Sequence, residues 1–333
     1  MMRKLALAAI SACLLHAGPA AAQKYNLTVA GYSPGGLVST IGAGMDAALA
    51  TAFPGSTVTY QTSSGGLANA ILVSTGKVPL GIISDTELPP ALDGKPPFKA
   101  PIKNLRLLIQ PYVAESRFQV SHIIFSKAWS DRHGITSFEQ IATKKPSMRV
   151  AFNRPGNRDG DVGLAFMSAI KVSQDDIRSW GGQVVRAASQ EITSLMLDRR
   201  LDGVVVGISI KHPRILEITK GLDTIMLPSS RAVAESVAKE TGAEPCTVKA
   251  KEYDMLAADT TSVCVGVGLY ASASMPDETA YNYTKAMFEQ IDKFRSAHRL
   301  LKAVVTPERL AKPTRAPFHP GAAKYLREKG LLK

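Results

Sequence analysis

Three turns rich in glycine and serine carry the groups best suited to bind or transform a small molecule. The first, Gly31-Tyr32-Ser33-Pro34-Gly35, matches the G-x-S-x-G pattern of a hydrolase nucleophile elbow. Pro34 has no backbone N–H, whereas such an elbow uses that N–H as an oxyanion donor worth roughly 3–4 kcal/mol. No neighbouring feature marks a catalytic histidine. We therefore expect Ser33 and the amides of Gly35 and Gly36 to bind a polar group, and we keep a secreted serine hydrolase acting through Ser33 as an alternative.

Two further turns and one strand end supply the remaining candidates. Ser64-Gly65-Gly66 precedes the second predicted helix, where the serine caps the helix and the glycines leave room for a close ligand. A plain cap, worth about 1 kcal/mol, explains the same residues. Asn157 and Arg158 precede a later helix, and Arg154 or Arg158 either grips a carboxylate through two parallel hydrogen bonds or faces solvent. Ser209, just after a buried strand, completes the candidate ligand-binding residues.

The sequence lacks the patterns of nucleotide and metal sites. Neither a Walker A pattern nor G-x-G-x-x-G occurs, the six histidines are isolated, and there is no C-x-x-C. No pair of carboxylates stands out as an acid–base couple. We therefore expect a binding protein that is not an enzyme and that has neither a cofactor nor a transition metal.

The elements that must position these turns alternate between strands and helices. A strand at Asn26–Ala30 leads through the first turn to a helix at 37–53, and a strand at Thr57–Gln61 leads through the second turn to a helix at 67–75 and a buried strand at 78–83. The same order begins again near residue 148. Such alternation is typical of parallel βαβ units with helices on both faces, so we predict an α/β protein with two similar lobes.

The ends of the parallel strands and the starts of the helices meet at one edge of each lobe. Helix starts carry free N–H groups and the positive end of the helix dipole, so a cleft between two such edges is suited to an anion. We place the first lobe at residues 23–117 together with 266–333 and the second lobe at 118–265.

Three other segments complete the prediction of secondary structure. Residues 88–101 contain five prolines and are predicted to be a loop. Residues 262–270 are predicted to form one strand that carries the chain back to the first lobe. Residues 277–299 are predicted to form one long helix.

The first 22 residues have the pattern of a cleaved secretory signal. Arg3 and Lys4 precede an apolar stretch, and Ala20-Ala21-Ala22 provides a cleavage site. We therefore expect the mature chain to begin at Gln23 in the periplasm. An ordinary N-terminal helix and a lipoprotein signal ending at Cys13 are the alternatives.

The chain is basic but lacks the pattern of a nucleic-acid-binding protein. Its 40 Lys and Arg against 28 Asp and Glu give a formal net charge of +12, and loss of the two basic residues of the leader leaves 38 against 28, or +10. The basic residues form no run of five and are not interleaved with aromatics, so a small anionic ligand fits better. Cys246 and Cys264 either pair in the oxidising periplasm or remain thiols.

The order and spacing of six segments carry a family resemblance: Ser33-Pro34-Gly35-Gly36, Ser64-Gly65-Gly66-Leu67-Ala68-Asn69, Leu80-Gly81-Ile82-Ile83-Ser84-Asp85, Pro155-Gly156, residues 283–294, and Phe318-His319-Pro320-Gly321-Ala322. With these, nearly the whole mature chain resembles the TAXI group of TRAP-transporter solute receptors. The resemblance implies a type II periplasmic-binding-protein fold with two α/β lobes around a central cleft. It also implies capture of a small organic anion, a carboxylate or an acidic amino acid, and its delivery to a TRAP-type membrane permease.

Three positions depart from the pattern of this family. Val38-Ser39-Thr40 replaces a Tyr-Tyr-Pro, Ile83 replaces a Gln, and Asn157-Arg158-Asp159 replaces a Ser-Gly-Thr. Because these positions would line the cleft, glutamate is not carried over as the ligand, and Arg158 is the expected partner of a different carboxylate. A ligand-binding sensor or adaptor for a signalling partner is a further hypothesis that the sequence does not separate from transport.

Overall fold

The computed structural model describes residues 23–33 and 37–333, which form two lobes, each built on one β-sheet. The predicted signal at 1–22, Gly35 and Gly36 lie outside the described residues. Among the residues that are described, no helix has both the length and the apolar composition needed to cross a membrane.

The first lobe has a five-stranded sheet with helices on both faces. Its elements in chain order are β1 (Asn26–Ala30), α1 (Leu37–Ala52), β2 (Thr57–Gln61), α2 (Gly66–Ser74), β3 (Leu80–Ser84), α3 (Leu88–Asp93) and β4 (Leu105–Tyr112), and, after the second lobe, β12 (Val267–Ser272), α11 (Asp277–Glu289), α12 (Ile291–Ser296), α13 (Leu301–Val304), α14 (Pro307–Leu310) and α15 (Pro320–Glu328). Ile41, Met45 and Leu49 share one face of α1 at four-residue spacing and are buried in the core beside β1.

The second lobe has a seven-stranded sheet between two further apolar cores. Its elements are β5 (Gln119–Ser126), α4 (Lys127–His133), α5 (Gln140–Lys144), β6 (Arg149–Asn153), α6 (Arg158–Ala169), α7 (Gln174–Ser179), β7 (Gln183–Ala187), α8 (Ser189–Leu197), β8 (Gly203–Ile208), α9 (Pro213–Gly221), β9 (Thr224–Met226), α10 (Arg231–Thr241), β10 (Glu244–Val248) and β11 (Thr260–Val265). A disulfide joins Cys246 of β10 to Cys264 of β11, with Cα atoms 5.8 Å apart.

Both sheets are mixed rather than wholly parallel. The first has the order β2-β1-β3-β12-β4, in which β1 is parallel to β2 and β3 while β12 is antiparallel to both of its neighbours. The second has the order β10-β11-β5-β8-β6-β7, with β9 beside β5, and only the β6–β7 and β6–β8 pairs are parallel. The prediction of parallel βαβ units is therefore confirmed for β1, β2 and β3 and for β6, β7 and β8, whereas β4, β5, β11 and β12 are antiparallel to their neighbours.

The predicted single strand at 262–270 is wrong, because it is two strands in different sheets. Val265 pairs with Gln119 in the second lobe, whereas Val267 pairs with Ser84 in the first. The break falls at Gly266, where a Cβ would lie 2.3 Å from Oδ2 of Asp85. The chain therefore changes lobes at a residue that has little room for a side chain.

Two other predictions of secondary structure also fail for local reasons. The segment 88–101, predicted to be a loop, begins with the helix α3. Its prolines occupy the first turn, where a missing N–H costs nothing, and the left-handed Gly94 at φ 68° ends the helix. The predicted helix at 277–299 is interrupted at Gln290, which has φ −108° and ψ 32° between α11 and α12. The limits of the two lobes at 117/118 and 265/266 remain a prediction.

Candidate functional site

A cavity of about 60 Å³ lies between the lobes at the edge where strands end and helices begin. One bound water occupies about 10–15 Å³ measured in this way, so the space suits a few waters or a small molecule. Its polar lining in the first lobe is Tyr32, Ser33, Ser84 and Thr86, and in the second lobe Gln119, Ser121, Asn153, Asn157, Arg158, Asp159 and Ser189. Val38, Val162, Gly207 and Val265 complete the walls.

A carboxyl group of the first lobe accepts the backbone N–H at the start of α2. Glu87 is fully buried; its Oε1 accepts the N–H of Gly66 at 2.8 Å, and its Oε2 accepts Ser84 Oγ at 2.6 Å and Ser84 N at 3.1 Å. The hydroxyl of Tyr32 also donates to Oε2. The amide predicted to hold a ligand anion at this helix start is therefore bonded to Glu87.

In the second turn, Ser63 stabilises the backbone in place of Ser64, which the sequence analysis predicted to be the helix cap. Ser64 is exposed and forms no cap, since α2 begins after Gly65 without a side-chain hydrogen bond. Ser63 holds the turn instead, because its Oγ accepts the N–H of Gly65 at 3.0 Å and donates to the carbonyl of Gly31 at 2.6 Å. Ser64, Gly65 and Gly66 do not line the cavity.

The start of α6 forms the opposite wall. Asn157 is buried and caps the helix, with its Oδ1 accepting the N–H of Asp159 at 3.1 Å. Arg158 Nη1 lies 3.5 Å from Asp161, and the buried Nε of Arg158 has no hydrogen-bond partner. Asn157 and Arg158 therefore line the cavity together with Ser33 of the first lobe, and their role in ligand binding stays a prediction.

Ser33 is the matching group of the first lobe. It is buried, it follows β1, and its Oγ has no hydrogen-bond partner. Buried hydroxyl and guanidinium groups normally have partners, so two unpartnered groups from opposite lobes around one cavity indicate a place for acceptor atoms. Ser209 also has a buried, unpartnered Oγ, but it does not line this cavity.

Asp159 also lines the cavity; the sequence analysis named it as one of the cleft positions but not among the candidate ligand-binding residues. Its Oδ1 accepts the N–H of Gly207 at 2.6 Å, and its Oδ2 accepts Nδ2 of Asn153 at 3.2 Å. Burial raises the pKa of Asp159 to about 7 against the effect of these two hydrogen bonds, and the charges of Glu87 and Asp161 raise it further.

The lobes touch at the rim of the cavity. Nη2 of Arg154 in the second lobe donates to the carbonyl of Ser63 in the first. A Cβ on Gly65 would lie 2.6 Å from the carbonyl oxygen of Gly156 in the opposite lobe. These contacts define a closed arrangement, in which the two lobes touch at this rim.

Behind the cavity, the crossing point at Gly266 is held by Asp85. The N–H of Gly266 donates to Asp85 Oδ2 at 2.9 Å, and the N–H of Asp85 donates to the carbonyl of Gly266 at 3.0 Å. Burial raises the pKa of Asp85 to about 6, although the hydrogen bond from Gly266 opposes this. Two reciprocal hydrogen bonds therefore hold the return crossing to the residue that follows β3.

Within the described residues, no cluster of three His, Cys, Asp or Glu side chains is arranged to hold a metal ion. The polar groups of the cavity are hydroxyls, amides, one guanidinium and one carboxyl group. Such a set binds a small polar molecule through hydrogen bonds and charge.

The two lobes and the cleft between them define the periplasmic-binding-protein fold. MatC from Rhodopseudomonas palustris with bound malate is 14% identical over 93% of this chain and 99% of that chain, with a TM-score of 0.56. The periplasmic binding protein BugD is 12% identical over 93% and 94%, with a TM-score of 0.56. PhnD1 from Prochlorococcus marinus in complex with methylphosphonate is 11% identical over 92% and 98%, with a TM-score of 0.54. The likeness confirms the predicted fold.

Sequence comparison places the chain more narrowly. The pattern of the NMT1-like family matches residues 29–330. The chain therefore belongs to the NMT1-like family.

Proposed function

We propose that the protein is a periplasmic solute-binding protein that captures a small organic anion between its lobes. The observation that carries this proposal is the pair of buried, unpartnered groups at one cavity, Ser33 Oγ from the first lobe and Arg158 Nε from the second. Each buried polar group left without a partner costs roughly 1–3 kcal/mol, and an acceptor oxygen of a ligand would remove that cost. A carboxylate supplies two such oxygens and makes charge-assisted bonds with arginine.

The size of the cavity supports a small acid. A micromolar affinity requires about −8 kcal/mol, which a few charge-assisted hydrogen bonds and the contacts with Val38, Val162 and Val265 are able to supply. MatC is described with malate and PhnD1 with methylphosphonate, and both of those ligands are small anions.

We further propose that the protein is a TAXI-type receptor that delivers its anion to a TRAP-type permease. The sequence resemblance supports this assignment, and the secretory pattern of residues 1–22 supports a periplasmic location. A signalling partner is the competing hypothesis. Identification of neighbouring genes that encode a permease or a kinase distinguishes the two.

Binding rather than hydrolysis is favoured at Ser33. No histidine is among the described residues that line the cavity, so Ser33 lacks the usual general base of a serine hydrolase. Turnover of generic esters that disappears in Ser33→Ala would establish the hydrolase alternative instead.

A thermal-shift screen of residues 23–333 tests the proposed function. The panel contains mono- and dicarboxylates, hydroxy and oxo acids, amino acids, phosphonates and sulfonates. An anion present at 100 times its Kd stabilises the protein by about 2.7 kcal/mol, which raises the melting temperature visibly. Absence of a shift with every anion of the panel contradicts the proposal.

Arg158→Ala tests the assignment of the carboxylate partner. Loss of a hydrogen bond between charged groups costs roughly 1.5–3 kcal/mol, so the Kd of the best-binding carboxylate is expected to rise by about 10- to 150-fold in calorimetry. The control is Arg178→Ala in α7, whose exposed side chain pairs with Asp175 away from the cavity, and it should bind as the unmodified protein does. An unchanged Kd in Arg158→Ala would show that another group holds the carboxylate.

A further inference from the structure

We propose that Asp159 takes up a proton when the lobes close on the anion, so that the receptor binds a carboxylate without an ammonium group together with one proton. This inference rests on the proposed function and specifies the ligand class and the ionisation that accompanies binding. It is carried by the position of the Asp159 carboxyl group in the wall of the same cavity as Ser33 and Arg158.

The hydrogen bonds of Asp159 leave one oxygen for the proton. Oδ1 is fixed by the short 2.6 Å bond from the N–H of Gly207. Oδ2 receives only the longer 3.2 Å contact from Asn153 among the hydrogen bonds between described residues, and that amide is also 3.2 Å from Ser189 Oγ. A proton on Oδ2 converts an acceptor in the wall of the cavity into a donor suited to an incoming carboxylate oxygen.

The charged groups around Asp159 favour its neutral form. The charge of Glu87 acts on Asp159 from the first lobe, and the charge of Asp161 acts from two residues further along α6. The nearby cations Arg158 and Arg186 lie closest to Asp161, at 3.5 and 3.6 Å, and neither forms a hydrogen bond with Asp159 among the described residues. The remaining neighbours on β6 and β8 are the uncharged Asn153 and Gly207, and the phenol of Tyr112 on β4 is also close enough to feel the charge of Asp159.

Closure of the lobes couples ligand binding to protonation of Asp159. Asp159 is half-buried with the lobes in contact. We expect parting of the lobes to move Glu87 away and to return more solvent to the carboxyl group, which brings its pKa toward the ordinary value of about 3.9. In the closed form, burial raises this pKa to about 7. A bound anion acts in the same direction as Glu87 and Asp161, whereas the ammonium group of an amino acid would act in the opposite direction.

These two pKa values give the size of the effect. With a proton bound in the closed form and absent in the open form, the Kd of a carboxylate is expected to be about tenfold higher at pH 8 than at pH 6. Proton uptake at pH 7 is expected to be about half a proton or more per ligand bound.

Calorimetry with L-malate and L-aspartate on residues 23–333 tests this inference. The two probes share a four-carbon dicarboxylate skeleton and differ in a hydroxyl against an ammonium group. We expect L-malate to bind more tightly than L-aspartate, with a tenfold weaker Kd at pH 8 than at pH 6 and with proton uptake measured in two buffers of different ionisation enthalpy. If another carboxylate of the panel binds in place of L-malate, it becomes the probe for the same measurements.

Asp159→Asn removes the titration and keeps the bond from Gly207, but it gives up the acceptor for Nδ2 of Asn153, which retains Ser189 Oγ as a partner. The amide oxygen still accepts the N–H of Gly207, and the amide N–H groups stand where the protonated acid would donate. This variant is expected to bind L-malate with one Kd at both pH values, close to that of the unmodified protein at pH 6. Asp175→Asn, an exposed aspartate on α7, is the control and is expected to keep the tenfold difference.

The outcomes separate this inference from the proposed function. Carboxylate binding with equal Kd at pH 6 and pH 8 and no proton uptake overturns the inference and leaves the proposed function standing. Preferential binding of L-aspartate without proton uptake has the same result. If no anion of the panel binds, the proposed function fails and the inference fails with it. The measurement of proton uptake on the unmodified chain decides the matter even if Asp159→Asn does not fold.

Discussion

Replacement of Gly65 by alanine should prevent full closure of the lobes. Gly65 has φ 140°, and a Cβ built there lies 2.6 Å from the carbonyl oxygen of Gly156, which belongs to the opposite lobe. Ordinary contact begins near 3.4 Å, so the two rims would have to separate by roughly 0.8 Å. The clash exists in the closed arrangement and disappears when the lobes part.

The two costs of Gly65→Ala fall on different measurements. The backbone conformation is one that only glycine adopts readily, and it costs roughly 1–3 kcal/mol in both arrangements, so it lowers the free energy of unfolding. The clash costs about 1–3 kcal/mol in the closed arrangement alone, as other overpacked contacts do. The Kd for the acid with the largest thermal shift is therefore expected to rise by about 5- to 150-fold.

Calorimetry and small-angle X-ray scattering measure this effect. The Kd comes from calorimetry, and the radius of gyration in saturating ligand should stay closer to that of the ligand-free protein in Gly65→Ala. Gly76→Ala is the control, because Gly76 ends the same helix with φ 71° and has nothing within 4 Å of a built Cβ. It carries positive-φ strain without a contact between the lobes. A Kd for Gly65→Ala within twofold of the unmodified protein would refute the role of this rim contact in closure.

Two further substitutions probe the buried carboxyl groups. Glu87→Gln keeps one acceptor for the N–H of Gly66, but its amide N–H groups then face the N–H of Ser84. The free energy of unfolding measured in urea should therefore fall by about 2 kcal/mol. An unchanged value would mean that other partners replace these hydrogen bonds. Asp85 has a pKa raised to about 6, so the native state binds its proton more tightly than the unfolded chain, and the protein loses stability as the pH rises from about 4 to about 6. Asp85→Asn should lack that loss, which is worth about 3 kcal/mol between pH 4 and pH 7; parallel curves of stability against pH for both proteins would contradict this reasoning.

The sequence alone was sufficient to predict the features that depend on residues close together along the chain. The alternation of apolar strands with glycine turns and helices specifies the βαβ units and the edge at which their turns meet. The prediction that Ser33, Asn157 and Arg158 lie near one another follows from this rule, because strand ends and helix starts share one edge. The proline-rich α3 is the local exception, since proline was interpreted as a breaker although the first turn of a helix accepts it.

Only the tertiary structure decided which of the turn groups remain available to a ligand. The N–H of Gly66 donates to Glu87, 21 residues away, and the N–H of Gly266, at the break between β11 and β12, donates to Asp85, 181 residues away. Neither partner follows from local spacing, because a buried polar group is satisfied by whatever side chain the packing brings within about 3 Å. For the same reason, the sequence placed Asp159 at the cleft only through the family resemblance, whereas its contacts with Gly207 and Asn153 and the burial that raises its pKa to about 7 are seen only in the tertiary structure.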